Sequence, residues 1–365
     1  MANVNLSEAK RAQNDEFYTQ YHDIEREMNA YLEYNPEVFR DKTILLPCDD
    51  PEWSNFTKFF AQNFELFGIK KLISTSFAPD SKRYPGTYQP TLFETNHPQY
   101  DHNKTTVNGK IFTLTDDKTG DHVINVDDLQ WEYLQGDGDF RSQEVTKLRD
   151  EVDMIITNPP FSLFREFLAW IIEADKQFVI IGNKNAITYK EVFPLIKENK
   201  VWVGSTSFSK DMLFISKEEI DPSKLPPSAT RTVDGIVYLR SPSMWLTNID
   251  HGRRHQPIPL MTIEDNLKFS KHKEIRGKES YDKYDNYDAI EVPFTDAIPS
   301  DYNGVMGVPI SFLDKYSPDQ FTILGATESE GKGFSEGLWD KNSNVAQALV
   351  NGKRVYKRIF IQHRL

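Results

Sequence analysis

Asp153-Met154-Ile155-Ile156-Thr157-Asn158-Pro159-Pro160-Phe161 decides how this chain is read. Met154-Ile155-Ile156 is an unbroken apolar run, the pattern of a strand buried on both faces of a parallel sheet. It empties into Asn-Pro-Pro-aromatic, and Leu163 to Ala174 then carries helical periodicity. In an open α/β sheet, ligands bind at the carboxyl ends of the strands. Consecutive prolines stiffen such a loop and remove backbone donors, so its carbonyl groups can face outward as acceptors. The Asn158 side chain adds an acceptor, and the Phe161 ring adds a flat stacking surface. Two acceptors and a ring suit a planar exocyclic amine, whose two N–H bonds are held while the lone pair faces an electrophile. The plainer reading is a proline turn with Phe161 in the core. Strand, Asn-Pro-Pro-Phe and helix in succession favour a site.

The surrounding pattern supports an α/β fold. Thr43-Ile44-Leu45-Leu46 reads as a strand, and Phe56, Phe59, Phe60, Phe64 and Phe67 recur at helical spacing. Lys71 to Phe77 and Phe178 to Gly182 read as further strands, with a short helix at Glu191 to Glu198. Residues 1–40 read as a polar helical arm that breaks at Pro36. From about 78 to 125 the alternation dissolves into an insertion, with a hairpin expected around Lys110 to Leu114 because so long a structureless loop is unusual. Val201 to Gly204 and Met212 to Ile215 read as a hairpin pair. Asp221 to Pro227 is polar and proline-bearing, which predicts a boundary between domains 1–220 and 221–365, the second rich in strands.

A length of 365 residues suits two domains. Hydrophobic residues at 38% exclude wholesale disorder. No run approaches the ~20 apolar residues of a membrane span, and no apolar signal region opens the chain, so a soluble cytoplasmic protein is expected. Cys48 is the single cysteine, which excludes an internal disulfide and a cysteine-rich zinc site; it reads as a small buried hydrophobe. Lys and Arg number 43 against 55 Asp and Glu, a net charge of −12 that argues at first against a polyanion partner. Residues 250–278 nevertheless carry +3 and residues 351–365 carry +5, which leaves −20 on the remainder. Charge alone makes those stretches solvated faces.

The Asn-Pro-Pro-Phe segment resembles the catalytic motif of amino-methyltransferases that modify adenine in DNA. The wider chain resembles the EcoRI-type adenine-specific DNA methyltransferases. The resemblance also rests on Asn14-Asp15-Glu16-Phe17-Tyr18-Thr19, on Leu46-Pro47-Cys48-Asp49-Asp50-Pro51-Glu52-Trp53-Ser54-Asn55-Phe56, on Trp245 to His251 and on Asn303 to Pro309. It implies a Rossmann-like methyltransferase core dependent on S-adenosylmethionine (SAM), followed by a C-terminal strand-rich target-recognition region. It implies transfer of a methyl group to adenine-N6 in double-stranded DNA, the base being rotated out of the helix.

The same resemblance implies residue roles. Asn158 and the Pro159 carbonyl would hold the amino group, Pro160 would stiffen the loop and Phe161 would stack on the base. Phe17, Tyr18, Thr19, Pro47, Asp49, Asp50, Asp139 and Phe140 would surround the cofactor, with either Asp49 or Asp50 at its ammonium. Phe208 and Phe214 are candidates to cover the flipped base, and Arg253 and Arg254 to contact DNA. The usual glycines after the first strand are absent here. No metal is implied, and a monomer acting twice suffices for a duplex. Rival readings are an acceptor at cytosine N4, RNA or a protein amide, and a binding module with a decayed cofactor site.

Overall fold

The computed structural model describes residues 18–51, 54–78, 92–95, 97–207, 211–215, 225–327 and 347–364. Phe17 and Phe208 lie outside these. The chain forms a mixed α/β structure in two compact units that interleave along the sequence. One unit runs to Asn183 and resumes over Lys210–Ile249; the other comprises Lys184–Ser209 and Asp250 onward. A single division at residue 220 is therefore not what the backbone adopts.

The first unit is built in chain order from Tyr18–Thr19 (β1), Tyr21–Tyr34 (α1), Thr43–Leu46 (β2), Asn55–Gln62 (α2), Lys71–Ser76 (β3), Lys110–Leu114 (β4) and Gln130–Tyr133 (β5). It continues with Gln143–Glu151 (α3), Met154–Thr157 (β6), Phe164–Glu173 (α4), Gln177–Asn183 (β7), Met212–Ile215 (β8), Thr230–Val233 (β9), Ile236–Ser241 (β10) and Ser243–Thr247 (β11). A large mixed sheet orders its strands β5-β4-β3-β2-β6-β7-β11. The four strands β3, β2, β6 and β7 are mutually parallel. β4 and β5 extend one edge antiparallel, and β11 runs antiparallel beside β7. The expected insertion is thus partly a sheet extension, since β4 pairs with both β3 and β5.

Every residue of β6 is buried, as the apolar run required. The phenylalanines of α2 and the turn after it enter one core with Ile24, Met28 and Tyr31 of α1. Residues 21–34 are therefore a packed helix rather than a free arm. α4 lies so close to β7 that a Cβ on Gly182 would sit 2.6 Å from the Phe164 ring. The Asn248 side chain ties the end of β11 to β7: its Oδ1 accepts from Phe178 N at 2.8 Å and its Nδ2 donates to Lys176 O at 2.9 Å.

The expected hairpin of residues 201–204 with 212–215 does not form. β8 pairs instead with β1 and β10, in a small antiparallel sheet completed by β9. Trp202–Val203 falls in the other unit. Strand partners here are chosen by the tertiary fold, and a short apolar run does not announce its neighbour.

The second unit holds the helix Ile263–Phe269 (α5) and the strands Ile290–Glu291 (β12), Met306–Pro309 (β13), Phe321–Ala326 (β14), Leu349–Val350 (β15), Lys353–Arg354 (β16) and Arg358–His363 (β17). One sheet runs β12-β13-β17-β14, and β15 and β16 form a separate hairpin. Arg358 on β17 and Glu291 on β12 form a buried bidentate ion pair, to which the Tyr284 hydroxyl also donates.

Candidate active site

The chain leaves β2 toward β3 on one side and reaches β6 on the other. The carboxyl ends of β2 and β6 therefore flank the point where strand order reverses, which is where open α/β sheets bind ligands. Both segments singled out from the sequence emerge there.

Asp49 is the hub. It is 6% exposed. Its Oδ1 accepts from the Ser54 hydroxyl at 2.6 Å and its Oδ2 lies 2.6 Å from Thr157 Oγ1. Ser54 also caps α2, its Oγ accepting from Phe56 N at 3.1 Å. The Asp49 carbonyl accepts from Thr57 and Ser74. Thr157 Oγ1 also lies 2.7 Å from the Pro47 carbonyl. Burial pushes the Asp49 carboxyl up to about 7, opposed by the Ser54 and Thr157 hydrogen bonds and reinforced by the neighbouring charge of Asp50. Cys48, just before it, takes φ +65°, a left-handed conformation that normally falls to glycine. The glycine-poor loop thus makes a glycine-like turn with a cysteine.

Thr157 is the last residue of β6, so this network seizes the strand one residue before Asn158. Asn158 is half-buried, Pro159 buried and Pro160 half-buried. The Pro160 carbonyl accepts from Leu163 N at 3.0 Å and closes the turn into α4. Phe161 is half-buried, its ring centroid 6.3 Å from that of Phe214 at 89°. Phe214 is fully buried in the core. It supports Phe161 edge-on, and a ring without exposure cannot cover a base in this conformation.

Thr19 lies on β1 in register with Phe214. Its carbonyl accepts from Asn55 Nδ2 at 2.7 Å, at the start of the helix that follows the Asp49 loop. The Thr19 side chain is 2% exposed, and its Oγ1 has no hydrogen-bond partner among the described residues. Such a buried orphan is rare in native proteins and calls for a partner.

On the other side of the sheet centre, Asp139 is gripped by Arg141, through Nη2 at 2.6 Å and Nε at 3.0 Å. Those bonds hold its carboxyl below the usual range. Phe140 departs from the expectation that it stacks on a ligand. It is buried edge-on against Phe167 and Trp170, with centroids 4.9 and 5.6 Å away. Gly138 lets this loop pass the end of β3. Its φ is +86°, and a Cβ there would run into the Ser76 carbonyl. Gly138→Ala is expected to destabilise the fold by about 2–3 kcal/mol, from left-handed strain plus overpacking. Urea denaturation checks this; an unchanged midpoint would show that the loop relaxes freely.

Arg253 and Arg254 also differ from expectation. Arg254 is 6% exposed. Its guanidinium bonds Asp250 at 2.8 Å and Asn199 at 2.6 Å and lies 3.6 Å over the Trp202 ring. Arg253, partly exposed, donates to Ser205 O at 2.6 Å and Asp314 at 2.9 Å. Both tie loops of the second unit together, so neither offers a free fork to a groove. Local charge could not reveal this, because a buried arginine and an exposed one count alike. Ser54, Ser74 and Thr157 complete this site without a sequence signal of their own, beyond the place of Ser54 just ahead of a helix.

An Asn-Pro-Pro-Phe loop braced on a buried acid at a sheet's switch point is the arrangement expected of an amino-methyltransferase. The chain matches, over residues 5–364, the profile of the family described as adenine-specific methyltransferase EcoRI, and it belongs to that family. It is 40% identical to type II methyltransferase M.EcoRI of Escherichia coli, with 98% of this chain and 96% of the relative covered. It is 30% identical to type II methyltransferase M.MpnI of Mycoplasma pneumoniae, with 98% of each chain covered. Identity to type II methyltransferase M.MgeORF184P of Mycoplasma genitalium is 32% at the same coverage. No solved structure matches the chain.

Proposed function

We propose that this enzyme transfers a methyl group from SAM to the exocyclic amino group of an adenine rotated out of double-stranded DNA, within a short specific sequence. The observation that carries the reading is the locking of β6 onto the Asp49 loop through Thr157, which holds Asn158 at the switch point. On this reading the first unit is a Rossmann-like methyltransferase core and the second unit is the target-recognition region. The type II relatives suggest a place in restriction–modification.

The residues present fit the cofactor. The orphaned Thr19 hydroxyl supplies a buried polar group awaiting a partner. Burial drives Asp49 toward its neutral form, so we assign the ammonium to Asp50; Asp139, which Arg141 holds ionised, is left to accept from the ring amine. When bound, SAM supplies an electrophilic methyl group. Asn158 and the Pro159 carbonyl accept the two N–H bonds of the adenine amine, and Phe161, propped by Phe214, stacks on the base. This arrangement directs the nitrogen lone pair and favours a tetrahedral nitrogen. Its contribution is orientation, which needs no strong base.

The test is transfer of tritiated methyl from SAM to unmethylated duplex DNA, followed by nucleoside analysis. Label in methyladenine is expected. Label confined to cytosine, or to RNA or protein, would overturn the reading.

A further inference from the structure

The basic C-terminal residues separate into two groups. Arg358 is buried against Glu291, Arg364 donates to Pro318 O at 2.7 Å, and Lys357 donates to Thr188 Oγ1 at 2.9 Å. Earlier in the second unit, Lys268 pairs with Glu264, Lys271 with Asp296 and Lys278 with Asp282. Lys353 and Arg354 share with Lys273, Arg276 and Lys283 the lack of a side-chain partner among the described residues, but these two sit side by side on one hairpin strand. Both are exposed, and neither forms an ion pair or side-chain hydrogen bond among the described residues.

The element that carries them is held rigidly without their help. β15 and β16 pair Leu349 with Arg354 and Val350 with Lys353. Asn351 and Gly352 take φ +50° and +71°, the two-residue turn that matches strand twist. Asp285 accepts from Asn351 N at 3.2 Å and from Gly352 N at 2.7 Å, so its carboxylate is turned to the backbone of the turn. Asn286 braces the other end, accepting from Leu349 N at 2.9 Å and donating to Gln347 O at 2.8 Å. Val350 and Val355 pack on Tyr284, Tyr287 and Phe360. Tyr356, two residues past Arg354, is 71% exposed. The result is a pinned two-stranded ribbon with a packed root and a cationic strand.

We propose that the hairpin Leu349–Arg354 is a DNA-contacting ribbon of this enzyme, with Lys353 and Arg354 on the phosphates of duplex DNA. This rests on the reading of the protein as a DNA methyltransferase. The major groove admits a two-stranded ribbon, and cations along its edge meet the flanking phosphates. Pinning the turn beforehand means that little backbone order is lost on binding. The ribbon also resolves the charge problem, since it gives an acidic protein a local cationic contact that its net charge conceals.

The experiment compares the full-length wild type with a Lys353→Ala/Arg354→Ala double variant. Duplex affinity is measured against salt, and methyl transfer is followed at varied DNA concentration. Each lost phosphate contact lowers the slope of log K against log salt by about 0.9, so a fall approaching ~1.8 is expected. KM for DNA should rise about tenfold or more, consistent with two lost cation contacts at low salt. The rate at saturating DNA should hold, because neither residue belongs to the Asn158 site. A second variant, Lys353→Arg/Arg354→Lys, keeps the charge and should keep the slope. An unchanged slope and KM in the alanine variant overturns the proposal, as does an equal fall in the charge-preserving variant. A wild type that neither binds nor methylates duplex DNA would instead defeat the underlying functional reading.

Discussion

Asn158→Ala is expected to lower the single-turnover rate of methyl transfer by about two to three orders of magnitude, the usual effect of removing one preorganised polar contact to a reacting group. SAM affinity should stay within a few-fold of wild type, because the residues assigned to the cofactor lie on other segments. The strand end that carries Asn158 is fixed by Thr157, and the next two residues are prolines, so alanine deletes an acceptor without loosening the loop. Without that acceptor the amine keeps its planar, ring-conjugated form and a poorly aimed lone pair. Asn158→Asp restores an acceptor of the same size and should recover part of the rate. Single-turnover kinetics at saturating DNA, paired with calorimetric titration of SAM, separates chemistry from binding. A rate within tenfold of wild type would show that the loop is only structural.

The sheet centre was legible because parallel strands buried on both faces leave unbroken apolar runs. Leu46, Ile156 and Ile180 sit in such runs and all lie in the core of the large sheet. Helix α2 was legible because its phenylalanines repeat at helical spacing. The interleaving of the two units was not. β8 returns to pair with Thr19, nearly two hundred residues earlier, and no local pattern encodes so distant a partner. Aromatic roles were ambiguous for a related reason. Phe140 and Phe214 belong to the core and Phe161 to its margin, yet all three look alike in one dimension. The Asp49 network was hidden as well, since Ser54, Ser74 and Thr157 are common residues whose convergence exists only in the fold.

That network predicts the second large effect, a pH dependence centred on Asp49. Thr157 has one hydroxyl hydrogen but two oxygen neighbours, Pro47 O at 2.7 Å and Asp49 Oδ2 at 2.6 Å. A carbonyl can only accept. All three oxygens are satisfied at once when Asp49 carries a proton, donates it to Thr157, and Thr157 donates to Pro47. The folded carboxyl, raised to about 7 by burial, holds that proton across the mildly acidic range. An unfolded aspartate ionises near ~3.9. Below that value both states are protonated, and the stabilisation from the raised group is fully present. As pH climbs toward 7 only the unfolded state releases its proton, so stability falls by about 1.4 kcal/mol per unit, on the order of 4 kcal/mol in all. Above 7 both states are ionised and the dependence ends. Asp49→Asn has the same shape and stays neutral, with an amide donor for Thr157 and an oxygen for Ser54. Urea denaturation of both proteins between about pH 4 and 8 should show the wild type losing ground to Asp49→Asn as pH rises to 7, then running parallel. Curves that stay parallel throughout would mean that Asp49 is ionised in the fold. The same proton should mark catalysis. Once it leaves, the Thr157 hydrogen turns to the carboxylate and the Pro47 tether loosens, one residue from Asn158. Turnover should then decline above pH 7 in the wild type, and the decline should be absent in Asp49→Asn.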